Sequence, residues 1–258
     1  MNRHFRFAAR LSAAIVLGLC SLVAGAQTLI AHEATYKLKA GFARGELTTR
    51  LRRDGDTWVA RHVATPRGLA GLVTGGIIDE TSVFVVRDDN IRVQSYLSSD
   101  GLSKDKGRIE LEFDWQQKLA RGTVTPEAGD ARELAVPLEP PLHDRLSIQY
   151  QLMHNLADDV TSGVYRMFDT DETKVLTISP AGSRRLKVSG KTYDAIGVMH
   201  QAEGSSRTTT LWCVPALGYL PALIEQRRKG KLKVRVTLQD YAQLEPVNAS
   251  ESNAASTS

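Results

Sequence analysis

Alternation with a period of two runs through most of the chain and constrains its fold more than any other feature. Ile109, Leu111, Phe113 and Trp115 interleave with Arg108, Glu110, Glu112 and Asp114. Leu232, Val234, Val236 and Leu238 interleave with Lys231, Lys233, Arg235 and Gln239. A strand patterned in this way lays one face on a core and the other in water, as in antiparallel sheets. Weaker versions cover 34–40, 46–53, 57–65, 77–87, 91–98, 118–125, 164–168, 174–179, 184–189, 194–203, 207–214 and 220–228. Turn residues punctuate them: Asp54-Gly55-Asp56, Asp88-Asp89-Asn90, Asp100-Gly101, Ser189-Gly190-Lys191 and Lys229-Gly230. About fourteen short strands in series predict a mainly β fold, a single curled antiparallel sheet or half-barrel.

One segment departs from this period. Between Asp144 and Val160, Leu146, Tyr150, Met153, Ala157 and Val160 fall on one helical stripe. Ile148, Leu152 and Leu156 widen it to roughly half the circumference. Ser147, Gln151, His154, Asn155 and Asp158 fill the remaining arc, which is expected to face water. Pro140-Pro141 ends the preceding strand, and Asp144 is a natural N-cap. A helix this apolar needs a broad partner surface, so one amphipathic helix is expected on the concave face of the sheet.

Both ends read differently from the body. Arg3, Arg6 and Arg10, then an apolar Leu11 to Val23, then Ala24-Gly25-Ala26, make a secretory leader over 1–26, cleaved between Ala26 and Gln27. The apolar stretch is short for a span of ~20 residues, so no stable membrane span is expected after cleavage, and the processed chain is expected in the periplasm. Cys20 follows Leu19, which disfavours a lipoprotein reading. With Cys20 gone, Cys213 is the one thiol left and no internal disulfide can form. Its neighbours Leu211, Trp212 and Val214 predict a buried, inert group. Residues 27–245 are expected to form one β-rich domain, and 246–258 a disordered tail. Asn248-Ala249-Ser250 matches a glycosylation sequon by chance.

The chain carries 33 Lys and Arg against 29 Asp and Glu. Three of those cations lie in the leader, which has no acid, so the remainder is close to neutral and no nucleic-acid partner is expected. At 6% aromatic residues, there is little to stack bases or sugars on. Zinc, nucleophile-elbow, phosphate-loop and paired-cysteine motifs are absent. His32, His62, His143, His154 and His200 are scattered, with no metal-ligand spacing, so neither metal nor cofactor is expected. His154 and Asp158 are four apart on the helix, a proton-transfer pair if functional and a solvated face otherwise; the second reading is preferred. Pro66 to Ile77, with Gly68, Gly71, Gly75 and Gly76 among apolar residues, reads as a long loop that could cover a cavity mouth. Arg227-Arg228-Lys229-Gly230-Lys231-Leu232-Lys233 is the densest positive run and straddles a turn. An enzyme of envelope glycans or lipids would need acids to converge, and Glu80, Asp114, Asp144 and Glu225 are the candidates. Their plainer roles are a strand's polar face, an N-cap and turn ends.

The order of segments resembles a known family. Tyr36 to Ala40 leads into Gly45-Glu46-Leu47; Asp54-Gly55 with Trp58, the glycine-rich loop and Glu80-Thr81-Ser82-Val83-Phe84 follow. Leu111-Glu112-Phe113-Asp114-Trp115, Asp144-Arg145-Leu146-Ser147, Thr210-Leu211-Trp212, Gly218-Tyr219-Leu220-Pro221 and Ile224-Glu225 complete the series. This is similar to the bacterial exported family of domain of unknown function 3108, over residues 30–243. The resemblance implies a predominantly β periplasmic domain, akin to the curled sheets of lipoprotein-carrier proteins, and brings no catalytic residue with it. The expected function is a non-catalytic periplasmic binder of an apolar or amphipathic ligand in cell-envelope assembly, with a lipid or envelope component as partner. The alternatives are a scaffold without a small ligand and, less favoured, an envelope glycan or lipid hydrolase. N-terminal sequencing of exported protein is expected to begin at Gln27; an intact Met1 or a lipid on Cys20 would contradict the leader reading.

Overall fold

The computed structural model describes residues 29–68, 76–102, 107–169 and 172–245. The leader with its Ala26–Gln27 junction, residues 69–75 of the glycine-rich loop, and the tail from 246 lie outside the described residues. The first eight strands are β1 (His32–Ala40), β2 (Ala43–Asp54), β3 (Thr57–Arg67), β4 (Ile78–Arg87), β5 (Asn90–Asp100), β6 (Gly107–Asp114), β7 (Leu119–Thr125) and β8 (Arg132–Pro137). A two-residue β9 (Leu142–His143) and helix α1 (Ser147–Ala157) follow. The chain then forms β10 (Gly163–Asp169), β11 (Glu172–Val188), β12 (Lys191–Ala202), β13 (Arg207–Val214), β14 (Leu220–Arg228) and β15 (Lys231–Gln243), with a short 3-10 turn at Pro215–Leu217.

All fifteen strands of the described residues belong to one sheet, ordered β8-β7-β6-β5-β4-β3-β2-β1-β15-β14-β13-β12-β11-β10-β9. Two hairpin meanders therefore meet at its centre, where β1 pairs with β15 from His32↔Gln243 to Ala40↔Val234. Every ladder is antiparallel except β9–β10, which is parallel through Arg166↔Leu142 and Met167↔His143. The sheet does not close, because β8 and β9 are separate edges. Register shifts interrupt five ladders, at Thr35/Tyr36, Val83/Phe84, Pro180/Gly182, Trp212/Cys213 and Gln226/Arg227. Each bulge adds local twist and bend, and together they curl the sheet until β9 lies against β5.

The expected alternation holds where it was strongest: Ile109, Leu111 and Phe113 are buried while Arg108, Glu110 and Glu112 face water. The differences have local causes. Residues 174–179 and 184–189 are one strand, because the Pro180/Gly182 bulge absorbs the break and pairing resumes at Gly182↔Gly197. β8 buries Leu134 and Val136 in an alternation the sequence analysis passed over. β9 is too short to carry a period.

The helix lies inside the curl. Tyr150 and Met153 join one core cluster with Tyr36, Leu51, Phe84 and Ile91 from β1 to β5. Ile148, Leu152 and Leu156 join another with Leu176, Ile178, Val198, Leu211 and Cys213 from β11 to β13. One helix thus packs on both arms of the sheet, which requires the sheet to be concave towards it.

The expectation of a solvated helix arc is wrong. Ser147, Gln151 and His154 are buried, with His154 only 5% exposed. This arc faces the β4–β5 hairpin: the Ile91 N–H donates to Gln151 Oε1 at 2.7 Å, and Gln151 Nε2 donates to the Asp89 carbonyl at 3.2 Å. His154 Nε2 lies 3.8 Å from Asp89, not beside Asp158, which is exposed past the helix end. Val160 lies beyond the helix and is 45% exposed, so it does not extend the apolar stripe. Cys213 is fully buried, and burial pushes its thiol pKa up, as an inert group requires.

Burying a side chain such as Met153 stabilises the fold by about 1.5–3 kcal/mol. Met153→Asp would also leave an unpaired charge in that interface. It is expected to abolish the cooperative thermal transition, and a variant that melts like the wild type would contradict the packing described.

Candidate functional site

Antiparallel order places the ends of β10, β12 and β14 and the starts of β11, β13 and β15 at one end of the sheet. There the helix stops short of covering the concave face. The inward-facing residues form a continuous floor across four ladders: Met167↔Lys174, Leu176↔Ala202, His200↔Thr209 and Thr209↔Gln226. Ile148, in the first helical turn, and Arg145 supply a wall. The result is an open cleft of about 880 Å³. Its apolar lining is Ile148, Met167, Leu176 and Ala202. Its rim carries Lys174 and Arg207 alongside Asp169, Glu172 and Glu203.

Arg145 is the most connected side chain of this site. It precedes the helix, and its guanidinium reaches across the opening between the two arms of the curl. It pairs with Glu80 of β4, donates to the Tyr96 hydroxyl at 3.0 Å and the Ser98 hydroxyl at 2.9 Å, and lies 3.6 Å from Asp169 of β10. Tyr96 donates to the same Glu80 carboxylate at 2.7 Å. Lys174 of β11 holds Asp169 at 2.5 Å. A chain of charges therefore runs from β4 to β11 through Arg145. Breaking a largely buried pair costs about 3–5 kcal/mol, because the remaining charge has no partner.

Asp144, beside it, is fully buried and structural. Its Oδ1 accepts the N–H groups of Leu146 and Ser147 at 2.7 and 2.8 Å. Its Oδ2 accepts the Ser82 hydroxyl at 2.5 Å, and Ser147 Oγ accepts the Asp144 N–H at 2.9 Å. Burial pushes its carboxyl up to about 6, and these hydrogen bonds limit the rise. This is the capping role read from the sequence, with Ser82 added from β4.

Two of the four candidate acids, Glu80 and Asp144, are brought together by the turn that carries Arg145. The other two sit elsewhere. Asp114 accepts the Gln116 and Gln117 N–H groups at 2.9 and 2.8 Å in the β6–β7 turn. Glu225 is paired with Arg235 at 2.6 Å. Each of these four acids is committed to an ion pair, a cap or a turn and none of them lines the cleft, whose carboxylates are Asp169, Glu172 and Glu203. Among the described residues no group of three His, Cys, Asp or Glu side chains could hold a metal. The positive run 227–233 lies at the β14–β15 tip, next to the cleft, since the Lys229 N–H donates to the Ser206 carbonyl at 3.0 Å.

The histidines are not as scattered as their numbering suggests. His62 Nε2 lies 3.2 Å from the Tyr150 hydroxyl, and the His32 ring packs 6.3 Å from the Tyr150 ring. Burial pushes His62, His143 and His200 down to about 4. Both ring nitrogens of His143 are buried without a hydrogen-bond partner, as are those of His154.

A model of the family described as "Protein of unknown function (DUF3108)" matches residues 32–237. The chain belongs to the DUF3108 family. Among curated proteins no match is found. Among solved structures, this DUF3108 chain is similar to a β-barrel-like protein of domain of unknown function DUF1849 from Brucella abortus. The TM-score is 0.55 at 10% identity, over 84% of this chain and 99% of that one. It also matches MucB with a TM-score of 0.33 at 9% identity, over 90% of this chain and 59% of MucB, a likeness too weak to argue from. The first comparison supports the curled-sheet architecture of this DUF3108 domain. No helix of the described residues is long and apolar enough to cross a membrane.

Stability should fall on acidification. Buried His143 and half-buried His62 and His200 are neutral in the folded state down to about pH 4, whereas unfolded histidine takes up its proton near 6.5. Their contribution is thus present above pH 6.5 and lost towards pH 4. Asp144 works the other way, binding its proton near pH 6 when folded and only near 3.8 when unfolded. Three groups outweigh one. His143→Phe is expected to shrink the loss between about pH 7 and about pH 4.5 by ~2–3 kcal/mol, read by denaturant unfolding at both pH values. An unchanged pH dependence would mean that His143 titrates normally.

Proposed function

We propose that this DUF3108 protein is a non-catalytic periplasmic binder that takes an amphipathic ligand at the open end of its curled sheet. The observation that carries this reading is the cleft of about 880 Å³, in which an apolar patch lies beside polar and charged side chains. Its size falls in the range of about 300–1,000 Å³ that holds small ligands. The apolar part of the ligand would lie on Ile148, Met167, Leu176 and Ala202. The polar end would face Lys174, Arg207, Thr209 and Gln226. The leader over 1–26 supports the periplasmic placement, and the commitment of Glu80, Asp114, Asp144 and Glu225 to structural contacts supports a binder over a hydrolase.

One observation favours the scaffold reading: the helix fills the concave face, so a ligand has the mouth to occupy and not the whole interior. The two readings separate in one experiment. Protein recovered from the periplasm is examined by native mass spectrometry, and a fluorescent fatty acid is titrated into the stripped protein. Ala202→Trp, which fills the cleft floor from β12, is expected to abolish both the adduct and the probe's saturable binding while leaving thermal unfolding intact. A wild-type protein with no adduct and no saturable probe binding would overturn the proposal in favour of the scaffold.

A further inference from the structure

Seven large hydrophobic side chains are exposed among the described residues, and four of them, Phe42, Ile77, Leu102 and Leu232, lie at the cleft-bearing end of the sheet. Phe42 is the most prominent: it forms the tip of the β1–β2 hairpin and is 103% exposed. A hairpin tip needs residues that tolerate its backbone, which Gly41 supplies at φ +60. An aromatic side chain there adds nothing to the turn. The tip is nonetheless braced, since Arg44 Nη1 donates to the Gly41, Phe42 and Ala43 carbonyls at 3.2, 3.4 and 3.3 Å.

The neighbouring hairpin repeats the pattern. The Gly41 N–H donates to the Lys233 carbonyl at 3.3 Å, so the β1–β2 and β14–β15 tips stand side by side. Leu232, 40% exposed, sits in the second tip among Arg228, Lys229, Lys231 and Lys233, all facing water. Lys39 and Arg44 flank the first tip and are also exposed. The nearby Glu46 is held by Arg67 at 2.8 Å, and the acids Asp169, Glu172 and Glu203 of this end lie on the cleft rim, the first two paired with Lys174, so the two tips themselves carry only cations. By contrast, the turns at 55–56, 88–89 and 189–190, at the opposite end, are polar.

We infer that this end of the sheet docks on an anionic lipid surface, with Phe42 and Leu232 entering the headgroup layer and the cations around them facing lipid phosphates. Apolar insertion and a basic ring are the two contributions that together hold a peripheral protein at a membrane. Phe and Leu are among the side chains that bury at the boundary of headgroups and acyl chains, and each cation near an anionic leaflet strengthens attachment by about fivefold. The charge of the ring selects this occupant over a neutral surface. Docking here would also turn the cleft mouth towards the bilayer, through the contact between Lys229 and Ser206. The inference does not depend on the cleft being occupied.

The test is co-sedimentation of the purified protein, processed as the cell processes it. The probes are vesicles of phosphatidylcholine alone and of phosphatidylcholine mixed with phosphatidylglycerol. Binding is expected to the mixed vesicles only and to weaken with added salt. Phe42→Ser is expected to weaken it by about tenfold or more, and the double change Lys231→Glu with Lys233→Glu by more than about twentyfold. Both substitutions are on exposed tips, so unchanged thermal unfolding should accompany the loss. Val164→Ser, which removes a 61% exposed apolar group from the start of β10 at the opposite end of the sheet, is expected to bind as the wild type does. Failure to bind either vesicle, equal binding to both, or binding indifferent to the tip substitutions would each overturn the inference. Because Ala202→Trp should leave vesicle binding unchanged, loss of the cleft ligand and loss of docking are read separately.

Discussion

A helix with no face left for water sets the terms for the rest of this molecule. Helix α1 buries Tyr150 and Met153 against one arm of the sheet, and Ile148, Leu152 and Leu156 against the other. A flat sheet can cover a single helical stripe. Covering two requires curvature, and the five register shifts supply it. The polar arc is then enclosed as well, and its groups must find partners inside. Gln151 does so with Ile91 and Asp89. His154 does so poorly, its ring nitrogens lacking a hydrogen-bond partner, as do those of His143 in β9, which burial keeps neutral.

The same enclosure explains the charge network at the seam. A fully closed barrel would satisfy both edges with backbone hydrogen bonds. Here β9 abuts β5 without pairing to it, and side chains join the arms instead. Arg145 is long enough, and rich enough in donors, to reach Glu80, Tyr96, Ser98 and Asp169 at once. Asp144 fixes where it starts from, by holding the first turn of the helix to Ser82. The cleft beyond exists because the helix begins only after this junction and leaves the last inward-facing row uncovered.

Much of the fold was legible because period-two alternation is a direct print of a half-buried sheet. Ile109, Leu111 and Phe113 point inwards as their spacing requires. The continuous β11 was not legible, because Pro180 and Gly182 signal a turn and a bulge equally well. The burial of Ser147, Gln151 and His154 was not legible either. A polar helix arc looks the same in sequence whether it meets water or a hairpin carrying complementary groups. Of the site, Glu80 and Asp144 could be named as acids, but not the partner that unites them. Arg145 lies next to Asp144 in the chain, yet its contacts are 65 residues back, across the seam at Glu80, and on β10 at Asp169. His200, Thr209 and Gln226 meet only through strand register, which no local spacing reveals.

The pairing of β1 with β15 has a consequence for how the protein is made. The first strand to emerge must wait for the last before its second edge is satisfied, since His32 pairs with Gln243. Closing a loop that spans nearly the whole chain is slow, because the entropy of bringing distant segments together is lost before any contact compensates for it. Until then the N-terminal meander presents β1 as an open edge, able to template pairing with another chain. A nascent molecule is therefore at its most vulnerable when nearly complete. Truncation within β15 would leave two unfinished half-sheets rather than a slightly shorter protein.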